Sequence, residues 1–189
     1  MTRKQVYFAG FILMVLVQWA IPLQTVWKSQ GTINEGKVFK FRTVPVDPND
    51  PFRGKYMTLQ FQDRKYAYGS SSGVTWVSRQ TAYVIPIEDA EGYAAIDTLY
   101  AQRPTHTDTY FKATVGAISG SDSTLVIELY FPFDRFYMEE ERAPIAEAHY
   151  LEQMRIPESA AYAEVAIKQG RAVLQDVIVN ETSLLDLMK

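Results

Sequence analysis

A mainly β fold is predicted by three features of this sequence: antiparallel hairpins in a meander of about eight strands, with one α-helix and a transmembrane helix in front. Two cations, Arg3 and Lys4, precede a run from Val6 to Trp27 that holds no charged residue. Behind that run, apolar and polar residues alternate with period two in several separate segments, the pattern of strands with one face in a core. Clusters of Pro, Gly, Asn, Asp and Ser punctuate the segments, as at Asp47-Pro48-Asn49-Asp50-Pro51 and at Gly120-Ser121-Asp122-Ser123, where the chain must turn.

The uncharged run reaches roughly 33 Å as a helix, enough to cross a ~30 Å hydrocarbon core. Trp19 and Trp27 suit the membrane interface, and Lys28 places a charge just outside. The competing reading is a cleaved secretory signal, since Val6 to Val17 has the length of its apolar region. Cleavage chemistry is poor there, because the small-x-small pattern around Ala20 fails at Gln18. Basic residues beside a first span stay in the cytoplasm while a long following domain is translocated. The expected organisation is a cytoplasmic end (residues 1–5), a membrane anchor (6–27) and an extracytoplasmic β-rich domain (28–189), periplasmic if the cell is Gram-negative.

About 160 residues behind the anchor suit one core. A hydrophobic content of 47% and a net charge of -3 argue against disorder and against nucleic-acid binding. Cysteine is absent, which excludes disulfides, thiolate metal sites and thiol catalysis.

Taken in order, Lys37 to Val46 reads as a strand with Phe39, Phe41 and Thr43 on one face and Lys40 and Arg42 on the other. Met57, Leu59 and Phe61 alternate with Tyr56, Thr58, Gln60 and Gln62 in a second strand. Residues 64–79, with three consecutive serines and no sustained period, read as a loop. Strands at 80–87 and 93–99 form a hairpin across Glu88–Gly92, and strands at 110–117 and 125–131 form another. A helix is expected over 139–155, its acidic start Glu139-Glu140-Glu141 complementing the helix dipole. After Pro157, strands at 161–168 and 171–179 join across Gln169-Gly170, and the leucines of the tail are free to dock on the core.

Constellations that carry chemistry are sparse. The only histidines, His106 and His149, lack the close spacing of a zinc or general-base pair. No phosphate-binding glycine loop and no nucleophile elbow is present. Asp47, Asp50 and Glu139 are a loose carboxylate set, and solvated loops explain them as well. The sharper enzymatic reading is a serine and lysine dyad near the bilayer, with Ser29 and Lys37 or Ser72 and Lys55 as pairs.

The stretch from Asp47 through Phe52-Arg53-Gly54-Lys55-Tyr56-Met57-Thr58-Leu59-Gln60-Phe61 resembles the signature of the bacterial membrane-anchored family named for its GDYxxLxY motif. Gly54, Tyr56 and Leu59 match; Lys55 stands where the motif has aspartate, and Phe61 where it has the final tyrosine. The Arg103-Pro104 step, the aromatic stretch Phe133 to Glu140 and the closing Gly170-Arg171-Ala172-Val173 hairpin are also similar to the family. The resemblance implies an amino-terminal span and a β domain and brings no activity with it. From the residues themselves, Gly54 permits a tight or left-handed backbone before a core strand. Arg53, Gly54, Lys55 and Tyr56 form the candidate binding site, a cationic and aromatic group suited to a carboxylate or a lipid headgroup.

The function read from these features is a single-pass interaction or accessory module for an integral membrane protein partner. Gln18 and Gln24 are available for hydrogen bonds to a neighbouring helix, unless both sit at the outer interface. No metal, cofactor or nucleic acid is expected, and the alternative is an anchored hydrolase with the serine and lysine site. The inside orientation of the amino terminus is checked by a reporter active only outside the cytoplasm, fused after Lys189. Activity is the expected outcome, and an inactive but stable, membrane-located fusion overturns the topology.

Overall fold

In the computed structural model the described residues are 3–44, 56–69, 74–121, 124–137, 148, 150, 152–153 and 160–186. Among these residues a long helix, α1 (Arg3–Glu35), is followed by twelve strands. These are β1 (Lys37–Val44), β2 (Tyr56–Thr58), β3 (Gln60–Phe61), β4 (Lys65–Gly69), β5 (Thr81–Glu88) and β6 (Ala94–Tyr100), then β7 (Phe111–Ser121), β8 (Thr124–Tyr130), β9 (Arg135–Tyr137), β10 (Ala161–Lys168), β11 (Arg171–Val179) and β12 (Thr182–Ser183). Two five-stranded sheets result, ordered β12-β11-β10-β1-β3 and β4-β8-β7-β5-β6, with a separate β2-β9 ribbon. All strand pairs are antiparallel, as the hairpin spacing predicts.

The two sheets meet through phenylalanine. Phe41 of β1 lies 5.1 to 6.0 Å, centroid to centroid, from Phe61, Phe111, Phe131 and Phe133. All five rings are buried, and most contacts are edge-on or tilted, the arrangement that the ring quadrupole favours. Because Phe41 and Phe61 come from one sheet and Phe111 from the other, the cluster is the bolt between them. A second tie lies at the β10–β11 turn, where Gly170 donates its N–H to the Tyr110 carbonyl at 2.8 Å and accepts from the Lys112 N–H. Gln169 and Gly170 both have positive φ, the backbone of a two-residue hairpin turn.

Helix α1 is long and apolar enough to cross a membrane: its most apolar 18-residue window has a mean hydropathy of 2.0 and none of it is buried. It does not stop at Trp27, as the composition suggests, but continues to Glu35. The extra turns are held by tertiary contact. Glu35 pairs with Lys168, Gln175 donates to the Ile33 carbonyl, and Thr32, 3% exposed, packs inward. An irregular register between β10 and β11 sets Glu164 opposite Asp176 and Val165 opposite Leu174, so Gln175 is the extra residue that reaches the helix. Gly36 alone separates helix from strand. A Cβ there would stand 2.3 Å from the Thr32 carbonyl oxygen and 3.1 Å from the Ile167 backbone, a space only glycine fits.

Other expectations need correction. Residues 64–79 are not all loop, because β4 lies inside them and pairs with β8. Its alternation is only five residues long, and Tyr68 is buried by Trp76, 5.6 Å away, rather than by a local pattern. The strand read at 57–61 is broken at Leu59, whose N–H goes to the Asp134 carbonyl, so that β2 pairs with β9 and β3 with β1. Met57, Leu59 and Phe61 are buried as the alternation predicts. The short β3, β4, β9 and β12 account for the surplus over eight strands. Within β7 an extra residue between Val115 and Ile118 shifts the inward face from odd to even positions. Of the helix expected over 139–155, residues 148, 150, 152 and 153 are helical and the rest lie outside the described residues. Strands distant in sequence are paired, β1 with β10 and β4 with β8, as one continuous core requires.

Phe41→Ala should cost about 3–5 kcal/mol, the usual loss for a buried phenylalanine. Urea unfolding of the full chain in mild detergent checks it, with the exposed Tyr137→Ala expected to change stability by less than about 0.5 kcal/mol.

Candidate functional site

The polar face of β1 carries Lys40 and Arg42, because Phe39, Phe41 and Thr43 take the inner face. On β10 the same alternation turns Tyr162 and Glu164 outward, and the register sets Arg42 opposite Tyr162 and Lys40 opposite Glu164. The tip of the β5–β6 hairpin, Asp89 to Tyr93, closes over this pair of strands. With the β11–β12 turn it borders an open cleft of about 540 Å³ lined by Lys40, Glu91, Gly92, Tyr93, Tyr162 and Glu181, among others.

Arg42 organises one wall. Its guanidinium donates to Asp89 at 2.7 Å and to Glu91 at 2.6 Å, approaches Asp63 at 3.6 Å, and stacks 4.0 Å from the Tyr93 ring centroid. Tyr93 in turn meets Tyr162 edge-on at 5.8 Å, and the Lys40 ammonium lies 5.1 Å from the Tyr162 ring. Asp89 also accepts the backbone N–H groups of Glu91 and Tyr93, both at 2.9 Å, which closes the turn. The Tyr93 N–H, the Arg42 guanidinium and the Glu91 N–H together hold the Asp89 carboxyl below the usual carboxylate range, against the opposing effect of partial burial. Burial disfavours the Arg42 charge, but the hydrogen bonds and charges of Asp89 and Glu91 outweigh it and push its pKa up.

The opposite wall is strained. Asn180 and Glu181 form the two-residue β11–β12 turn with φ of 47° and 66°. Asn180 is anchored through its side chain, which accepts from the Ala160 N–H and donates to Gln153. At the second position such turns favour glycine, yet this chain places a carboxylate on the cleft. Nearby, the buried Tyr150 hydroxyl lies within hydrogen-bond distance of the Thr43 hydroxyl at 3.2 Å and the Val44 carbonyl at 3.3 Å, and burial pushes its pKa up.

The sites expected from sequence fall elsewhere. Arg53, Gly54 and Lys55 lie outside the described residues; Tyr56 opens β2 with its backbone opposite Tyr137. Ser72, Asp47, Asp50, Glu139 and His149 also lie outside. Lys37 does not serve Ser29: its amine pairs with Glu88 at 2.9 Å and lies over the Phe39 ring. His106 rests edge-on against Tyr100. Among the described residues no three His, Asp or Glu side chains are grouped to hold a metal. Sequence reasoning missed the cleft because its parts, Lys40, Tyr93, Tyr162 and Glu181, come from four separate elements. The one local signal was an Asn-Glu pair where a hairpin turn calls for Asn-Gly.

A carboxyl whose pKa falls on folding stabilises the fold above its unfolded pKa, and that contribution is lost as pH drops through the lowered folded value. Asp89→Asn should therefore reduce stability at neutral pH, with the gap to the unsubstituted chain narrowing as pH falls below about 4. Urea midpoints measured from neutral to acid pH give the test; a gap that stays constant would show that the Asp89 charge is not involved.

No curated protein and no solved structure matches this chain. A family described as GDYXXLXY protein matches residues 18–177, from within α1 to β11 and across both sheets. The motif it is named for runs from Gly54 into β2, Leu59 and β3, where the chain passes from the ribbon to the sheet edge. On that match, this chain belongs to the GDYXXLXY protein family.

Proposed function

We propose that this protein is a single-pass accessory module: residues 6–27 anchor it in the inner membrane with the amino terminus inside, and residues 28–189 form an extracytoplasmic domain that grips an integral membrane partner. The observation that carries the reading is the Lys40, Tyr93, Tyr162 and Glu181 cleft. It is open and carries charges of both signs, and Arg42 with its carboxylates is already satisfied within one wall. Such a surface suits the recognition of a polypeptide segment by aromatic stacking and paired charges. Support also comes from the left-handed Glu181, since a strained residue kept at a cleft points to a role there. Gln18 and Gln24, both exposed on α1, fit hydrogen bonding to a partner's helix within the bilayer. Arg53, Gly54, Lys55 and Tyr56 are proposed as a second contact, leading into the ribbon of β2 and β9. The hydrolase alternative has no serine and lysine pair among the described residues to support it.

Full chain tagged after Lys189 and purified at native expression in mild detergent should bring a stoichiometric integral membrane protein with it. Lys40→Glu and Tyr162→Ala should abolish capture without lowering the thermal midpoint appreciably. Glu181→Gly should raise stability by about 1 kcal/mol as the turn relaxes, yet weaken capture. A clean monomer at native expression would sink the reading.

A further inference from the structure

The end of α1 and the β10–β11 turn enclose a second cleft, of about 280 Å³, lined by Lys28, Gly31, Thr32, Lys168, Gln169 and Arg171. Three of these six side chains are cationic. Lys168 is paired with Glu35, whereas Lys28 and Arg171 make no ion pair among the described residues and are exposed. The cleft thus holds an excess of positive charge on two different elements.

Its height is set by the helix. At a rise of about 1.5 Å per residue, Lys28 stands roughly 1.5 Å and Thr32 roughly 7.5 Å beyond Trp27, where the uncharged run ends. The polar layer of a bilayer is about 5–7 Å deep on each side of the hydrocarbon core. Because α1 passes unbroken through this stretch and is tied to β10 and β11 by Lys168 and Gln175, Arg171 is carried to the same level. Gly31 adds an independent observation. It sits inside a helix, where glycine is a weak former, and a Cβ there would meet nothing within 4 Å. No packing neighbour requires it, while an open backbone face lets a ligand approach closely.

We propose that this cleft binds the phosphate headgroup of an anionic phospholipid in the leaflet next to Lys28, with Lys28 and Arg171 as the paired cations and Gly31 as the space for the headgroup. Arg171 supplies a planar fork matched to phosphate oxygens, and Lys28 supplies a mobile point charge. The bound lipid fixes the height and rotation of the β domain on the membrane, because the cleft is built from anchor and domain together. This rests on the membrane-anchor part of the proposed function and not on the protein partner.

The test reconstitutes the full chain into nanodiscs of mixed phosphatidylcholine and phosphatidylglycerol and measures the lipids it retains by native mass spectrometry. Phosphatidylglycerol should be retained preferentially, and Lys28→Ala with Arg171→Ala should lower the preference by roughly 5-fold per cation removed. Lys65→Ala with Arg79→Ala removes the same charge from the other sheet's side of the domain and should leave the preference intact. Gly31→Leu fills the cleft without changing charge and should also lower it. The proposal is overturned by an absence of preference in the unsubstituted chain, by equal losses in the two double variants, or by displacement of the lipid by inorganic phosphate at equal concentration, which would make the site one for the free anion. Failure of the chain to enter nanodiscs would remove the anchor as well; entry without lipid preference removes the lipid site alone.

Discussion

The contact of Phe41 with four other phenylalanines is the interaction on which the rest of this structure depends. Each sheet has an apolar inner face of alanine, valine and isoleucine, exemplified by Ala163, Val165 and Ile167 on β10 and by Ala113 and Val115 on β7. These small and branched side chains cover area without reaching far. The phenylalanine rings span the gap, and their tilted contacts give the sheets one relative position rather than several. The family motif ends on this cluster at Phe61, so the exchange of its final tyrosine for phenylalanine keeps the aromatic ring and discards a hydroxyl that the buried site does not need.

A second constraint follows at Gly36. With no linker between helix and strand, the orientation of α1 is coupled to β1, and through β1 to the whole sheet. The polar ties from Lys168 and Gln175 act on the same end of α1, so helix and sheet are joined by side-chain contacts as well as through the chain itself. In the accessory-module reading proposed above, such coupling would hold the cleft at one height and one facing, which lowers the orientational cost of binding.

Electrostatics shape the cleft more than area does. Arg42 holds three carboxylates and one ring around itself, and the hydrogen bonds to Asp89 stiffen the hairpin tip from which Tyr93 projects. The groups left facing the cleft are Lys40 resting on the Tyr162 ring, Tyr93 edge-on to the same ring, and the Glu181 carboxylate on a strained turn.

The amino-acid sequence by itself determined the apolar helix, the strand faces and the turn between the last two long strands, since each is written in residues a few positions apart: Phe39, Phe41 and Thr43 against Lys40 and Arg42, or Gln169-Gly170 between two alternating runs. It also carried the family, through Gly54, Tyr56 and Leu59. Where an element owes its existence to a distant partner, the local pattern was silent. β4 needs β8 and Trp76, the last turns of α1 need Lys168 and Gln175, and the break at Leu59 needs the Asp134 carbonyl. The clefts belong to the same class. Lys40, Tyr93, Tyr162 and Glu181 are far apart along the chain, and only antiparallel register together with the closure of one hairpin over another sheet brings them within reach of one ligand. Periodicity is a property of neighbours in sequence, whereas a site is a property of neighbours in space, and the second was decided by the tertiary structure alone.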